Sequence, residues 1–89
     1  MGIVLDFGER RHIKLMILSC KKEDFEIMDC DYELKKYGNS EAEDSGPGNI
    51  LEHMIDIVIE PKECGKYQLK VTYRIADEIL IETVGVNVI

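Results

Sequence analysis

The sequence predicts an all-β sandwich of about seven antiparallel strands in a single domain spanning residues 1–89. Three observations carry this. Apolar residues alternate with polar ones over most of the chain, the period of a strand with one buried face. Turn-forming residues recur every 8–15 positions or so. No segment shows a 3.6-residue period with caps; the best helical stretch, 20–26, is too short and too charged. With 45% hydrophobic and 33% charged residues, the 89-residue chain has the composition of a folded domain, at the small end of the usual range.

The strands are expected over 3–7, 11–19, 25–37, 40–44, 50–60, 66–76 and 79–88. The first is short and apolar. In 11–19, Ile13, Leu15 and Ile17 oppose Lys14, Met16 and Leu18; the end of this run is apolar on both sides, as in a central strand. In 25–37 the parity breaks, because Phe25 and Ile27 share one face while Cys30, Tyr32 and Leu34 share the other. One extra residue near Met28–Asp29, a β-bulge, restores the register.

Gly38-Asn39 closes a hairpin after Tyr37. The 40–44 strand is acidic, and its Glu41, Glu43 and Asp44 suit an edge that resists unwanted pairing. Ser45-Gly46-Pro47-Gly48-Asn49 reads as a loop. Over 50–60, Leu51, His53, Ile55, Ile57 and Ile59 form the inward face, with Glu52, Asp56 and Glu60 outward. On that parity His53 is a hydrogen-bonded core histidine. Pro61 to Gly65 makes a corner. Beyond it Tyr67, Leu69, Val71, Tyr73 and Ile75 alternate with Gln68, Lys70, Thr72, Arg74 and Ala76. Asp77-Glu78 marks a tight hairpin. In 79–88, Ile79 and Ile81 give way to Val84, Val86 and Val88, which calls for a second bulge or bend near Thr83–Gly85.

The stretch from Pro61 to Tyr73, Pro-Lys-Glu-Cys-Gly-Lys-Tyr-Gln-Leu-Lys-Val-Thr-Tyr, resembles the E–F corner and F strand of immunoglobulin-like and fibronectin-type sandwiches. The resemblance implies an immunoglobulin-like fold in which Gly65 serves the turn and Tyr67 is the corner tyrosine. Its ring would lie in the core and its hydroxyl would bond backbone a few residues upstream. Leu69 stands where an antibody domain has its second disulfide cysteine, and the chain has no Trp. The sequence is therefore similar to the disulfide-free bacterial immunoglobulin-like domains. More loosely, Gly8-Glu9 leading into Ile13-Lys14-Leu15, and Cys30-Asp31-Tyr32-Glu33-Leu34 with Gly38 after it, resemble small domains of Gram-positive bacteria and their prophages. These are virion or tail-associated parts, or modules of surface proteins.

The formal charge is −7. An acidic surface repels phosphate backbones, so nucleic acid is not an expected partner. The charge is segregated: 23–33 and 38–60 hold −12 with no Lys or Arg, and the remainder carries +5. Pairing of the strands 25–37 and 66–76 brings Asp31 and Glu33 toward Lys70 and Arg74, which accounts for much of this contrast without a ligand. No run approaches the roughly 18 apolar residues of a membrane span. No secretory signal is visible either, so a complete chain is expected to be cytoplasmic or virion-associated.

No chemistry is expected. The three cysteines, Cys20, Cys30 and Cys64, have neither disulfide-framework nor zinc spacing. A composite metal site from Cys20, Cys64, His12 and His53 has no spacing signal, and no metal or other cofactor is expected. Asp29, Asp31 and Glu33 lack the loop of a calcium site. Lys21-Lys22 could lower the Cys20 pKa, but a strand-end thiol beside a basic turn is the better reading. No serine lies beside a histidine base.

The expected function is thus a non-enzymatic structural or protein-interaction module. The expected partner is another protein or a second copy. The candidate interface is Met16, Leu18, Met54 and Val58, the outward apolar residues of two strands expected to pair. The alternative is a carbohydrate- or ligand-binding module, with Tyr37 as the exposed aromatic.

Overall fold

A computed structural model describes residues 2–17 and 26–89. Eight strands make up the regular structure among the described residues: β1 (Gly2–Leu5), β2 (Arg11–Met16), β3 (Ile27–Lys36), β4 (Asp44–Pro47), β5 (Asn49–Leu51), β6 (Met54–Ile59), β7 (Gly65–Ile75) and β8 (Glu78–Val88). No helix occurs among the described residues. One sheet has the order β1-β8-β7-β3-β4 and the other β2-β6-β5. All pairings are antiparallel except β1 with β8. β1 and β8 thus run side by side, and the two sheets enclose one core as a β-sandwich.

The core follows from the alternation. Tyr67, Leu69, Val71 and Tyr73 of β7 are buried between the sheets, as are Ile55, Ile57 and Ile59 of β6 and Ile13 and Leu15 of β2. Each of these strands gives its intervening residues to the outer face. Burying a side chain of this size contributes about 1.5–3 kcal/mol, so the stripes specify both fold and register. In β3 the register against β7 shifts between Ile27 and Asp29. This is the expected bulge. It lets Ile27 and, after the break, Cys30 and Leu34 all face inward.

Five expectations are corrected. The second bulge is absent: β8 pairs with β7 in unbroken register from Glu78 to Val88. Ile79 and Ile81 simply face outward, exposed by 69% and 57%, while Leu80 takes the inner parity. Apolar content near the start of the strand had imitated a parity change. The 50–60 run is two strands. Glu52 and His53 form a turn, with Glu52 at φ 57°, so β5 and β6 make a hairpin. Leu51 is consequently exposed, and His53 sits in a turn rather than on an inward strand face. The alternation had run through the turn unchanged.

The expected loop at 45–49 is largely strand, and the edge strand is β4 at Asp44–Pro47 rather than 40–44. Pro47 opposes Asp31 at the sheet margin, where a missing N–H is tolerated. Gly48 carries the chain from one sheet to the other, its N–H donating to the Cys30 carbonyl at 3.0 Å. A Cβ at Gly48 would lie 2.6 Å from the Cys30 sulfur, so only glycine passes this close to β3. Finally, among the described residues β2 is an edge strand rather than a central one. The expectations on Leu18, Cys20 and Phe25 lie outside the described residues.

Candidate interaction surfaces and the tyrosine corner

Gly65 has φ 128°, a conformation that favours glycine, and opens β7. Two residues on, Tyr67 is fully buried. The Tyr67 hydroxyl donates to Glu43 Oε1 at 2.9 Å. Gly65 and Tyr67 thus take the turn and core positions expected of them, but the hydroxyl's partner is a carboxylate from the β3–β4 connection rather than backbone upstream. Glu43 also accepts from the Lys62 N–H at 3.2 Å, and its own N–H donates to the Leu34 carbonyl at 2.8 Å. One acidic side chain thus joins the corner to the β3–β4 connection. Burial, first, and the Glu43 carboxylate, second, push the Tyr67 pKa up to about 12.

The outer faces carry the charges. Asp29 and Arg74 form an ion pair at 2.7 Å across β3 and β7. Glu33 stands opposite Lys70 and Asp31 opposite Thr72. Arg74 therefore meets the first acid of the Asp29, Asp31, Glu33 series, as the bulge shifts the register there. Lys36 pairs with Glu63 and lowers its pKa through the hydrogen bond and its charge. Among the described residues no group of three or more His, Cys, Asp or Glu is arranged to hold a metal. Cys30 is buried and Cys64 exposed, both as free thiols. Burial raises the Cys30 pKa, the opposite of what a nucleophile needs. No helix among the described residues is long and apolar enough to cross a membrane.

Of the candidate interface residues, the structure brings two together. Met16 and Met54 are direct cross-strand partners of β2 and β6. Met54 is half-buried, and Met16 is 61% exposed. Val58 pairs with His12 at the other end of the strand and is kept from the methionines by Asp56. The Asp56 carboxylate lies 3.1 Å from His12 Nδ1. Leu18 is outside the described residues. Sequence reasoning missed Leu51, which pairs with Met54 on the far side and is exposed. The row Met16–Met54–Leu51 thus crosses all three strands and borders an open groove with Ile50, Glu52 and His53. Only the turn at Glu52 could have revealed Leu51, and its alternation hid that turn. A second apolar surface lies on the other sheet, where Ile79 and Ile81 stand out from β8.

No family model matches the chain, and no curated protein or solved structure is significantly similar to it.

Proposed function

We propose that this protein is a non-enzymatic structural or protein-interaction module, with a prophage virion or tail-associated part as the preferred version. The observation that carries the reading is the Met16–Met54–Leu51 row, bordered on its sheet face by the polar row of Lys14, Asp56 and Asn49. Exposed methionine and leucine side chains in one row supply an adaptable apolar contact. Lys14, Asp56 and Asn49 occupy the next row and would form its polar rim.

The test uses particles from an induced lysogen encoding the chain. The protein is expected in purified particles at a fixed copy number. The variant Met16→Asp/Leu51→Asp, folded by circular dichroism, is expected to be lost from them. Absence of the wild-type chain from particles removes the virion version. A gene lying within a secreted multidomain protein removes it as well. Equal incorporation of the variant rules out this row as the contact.

A carbohydrate- or ligand-binding module is the second reading. Tyr37 is 61% exposed at the end of β3, beside Gly38, and Lys35, Lys36, Asn39 and Gln68 surround it at a shallow groove. A glycan array compared between the wild type and Tyr37→Ala separates this reading from the first. Glycan binding lost in the variant supports it, and no binding by either protein ends it.

A further inference from the structure

β1 covers only part of the β8 edge. The parallel pairing begins at Gly2 opposite Gly85 and ends at Leu5 opposite Val88. From Glu78 to Val84, β8 is bonded to β7 on one side, and no described strand pairs with the other. This open edge has the sequence Glu-Ile-Leu-Ile-Glu-Thr-Val. It combines β-branched residues with two outward isoleucines. Unpaired edges of this length are templates for another strand.

The direction of its backbone groups is fixed. Ile89 N donates to the Leu5 carbonyl at 2.9 Å, and Ile89 O accepts from the Phe7 N–H at 2.8 Å. Odd-numbered residues therefore turn their N–H and C=O toward the β1 side. The tight hairpin at Ala76-Asp77 requires the same parity, since Ile75 and Glu78 close it facing each other. Ile79, Ile81 and Thr83 thus present their donors and acceptors to the open edge.

We propose that this edge pairs with the same edge of a second copy, antiparallel, about a two-fold axis at Ile81. The inference extends the reading of the chain as an interaction module and rests on it. Centring on Ile81 places Glu78 opposite the partner's Val84, so the pairing spans the open edge and ends where β1 begins. All three outward-directed residues are used. Ile81 meets the partner's Ile81, and Ile79 meets the partner's Thr83, giving a ladder of roughly six hydrogen bonds.

The neighbouring registers do worse. Centring on Leu80 sets Glu78 directly against the partner's Glu82 twice, a like-charge arrangement that is destabilising. Centring on Glu82 drives Ile79 against Gly85, which Gly2 already occupies. The edge is therefore self-complementary in one register, and a two-fold pair is closed where a head-to-tail contact would grow into a filament.

Analytical ultracentrifugation of the full chain, on the order of 10 µM to 1 mM, reads the outcome. The wild type is expected to shift from monomer to dimer across this range. Ile81→Pro is expected to remain monomeric, because the N–H it removes points away from β7. Ile81→Lys is expected to do the same by opposing two ammonium groups at the axis, and it decides the matter if the proline variant does not fold. Glu78→Lys is expected to change the dissociation constant by less than about threefold. A tightening of about tenfold overturns the Ile81-centred register. A monomeric wild type at the highest concentration overturns the proposal, and so does dimerisation of Ile81→Lys equal to wild type. Met16→Asp lies on the other sheet and leaves sedimentation unchanged, so failure of the dimer and failure of the partner-surface reading are distinguishable.

Discussion

The hydroxyl of Tyr67 donates to Glu43 at 2.9 Å, joining the start of β7 to the β3–β4 connection. The same carboxylate accepts the Lys62 N–H, so the corner and the connection share one acceptor. In immunoglobulin domains, which the corner sequence resembles, a corner tyrosine ties strands through the backbone upstream. Here a side chain remote in sequence takes part. Tyr67→Phe keeps the buried ring and removes only the hydroxyl. A hydrogen bond to a charged acceptor contributes about 1.5–3 kcal/mol. We expect a loss of about that size in urea denaturation, with the slope of the transition unchanged.

The raised Tyr67 pKa gives a pH dependence of definite sign. The hydroxyl holds its proton more tightly in the folded chain, up to about 12, than in the unfolded chain, at about 10. Between those values the folded state binds more protons, so stability falls as pH rises. The stabilisation is intact below about pH 10 and is lost by about pH 12. Tyr32 and Tyr73 are also raised, mainly by burial, and add to the trend. Denaturation midpoints measured from pH 9 to 12 are expected to fall more steeply for the wild type than for Tyr67→Phe. Parallel curves would remove Tyr67 as the cause.

Gly48 tests the crossover between sheets. An alanine Cβ there meets the Cys30 sulfur at 2.6 Å and the Ile57 Cγ1 at 3.3 Å. Overpacking of this sort costs about 1–3 kcal/mol. Gly48→Ala is expected to lower the thermal midpoint accordingly. Adding Cys30→Ala removes the nearest atom, so the double variant should lose less than the sum of the two single losses.

The Asp29–Arg74 pair tests how much the surface charge pattern matters. Both side chains are about half exposed. Pairs of this kind contribute about 0.2–1 kcal/mol and are screened by salt. Arg74→Ala is expected to cost no more than this at low ionic strength, and the difference from wild type should shrink in about 1 M sodium chloride. A large loss that salt does not reduce would mean that Arg74 serves the fold in another way.

Much of the fold was legible because burial has a period. Alternation over 66–76 located the central strand of the larger sheet, and the parity break at Met28–Asp29 located its bulge. Other features had no periodic signature. The turn at Glu52-His53 kept the alternation of the strands it joins, so β5 and β6 read as one strand and Leu51 as buried. Ile79 and Ile81 imitated a change of face because exposed and buried isoleucines look alike in a sequence. The Met16–Met54 pairing was anticipated from parity, whereas Val58 was grouped with them although the Lys14–Asp56 row stands between.

The sequence by itself determined the fold class, the inward residues of the long strands and the corner around Gly65 and Tyr67. Hydrophobic period and turn chemistry are local, so they are written in neighbouring residues. Only the tertiary structure decided which strands lie at edges, which acid Tyr67 and Arg74 meet, and which apolar residues stay outside. Those outcomes depend on where each sheet ends: β1 stops short of the first half of β8, and among the described residues β2 has a neighbour on one side only. Edges are set by strand lengths and register summed over the whole chain, and no single stretch of sequence carries that sum.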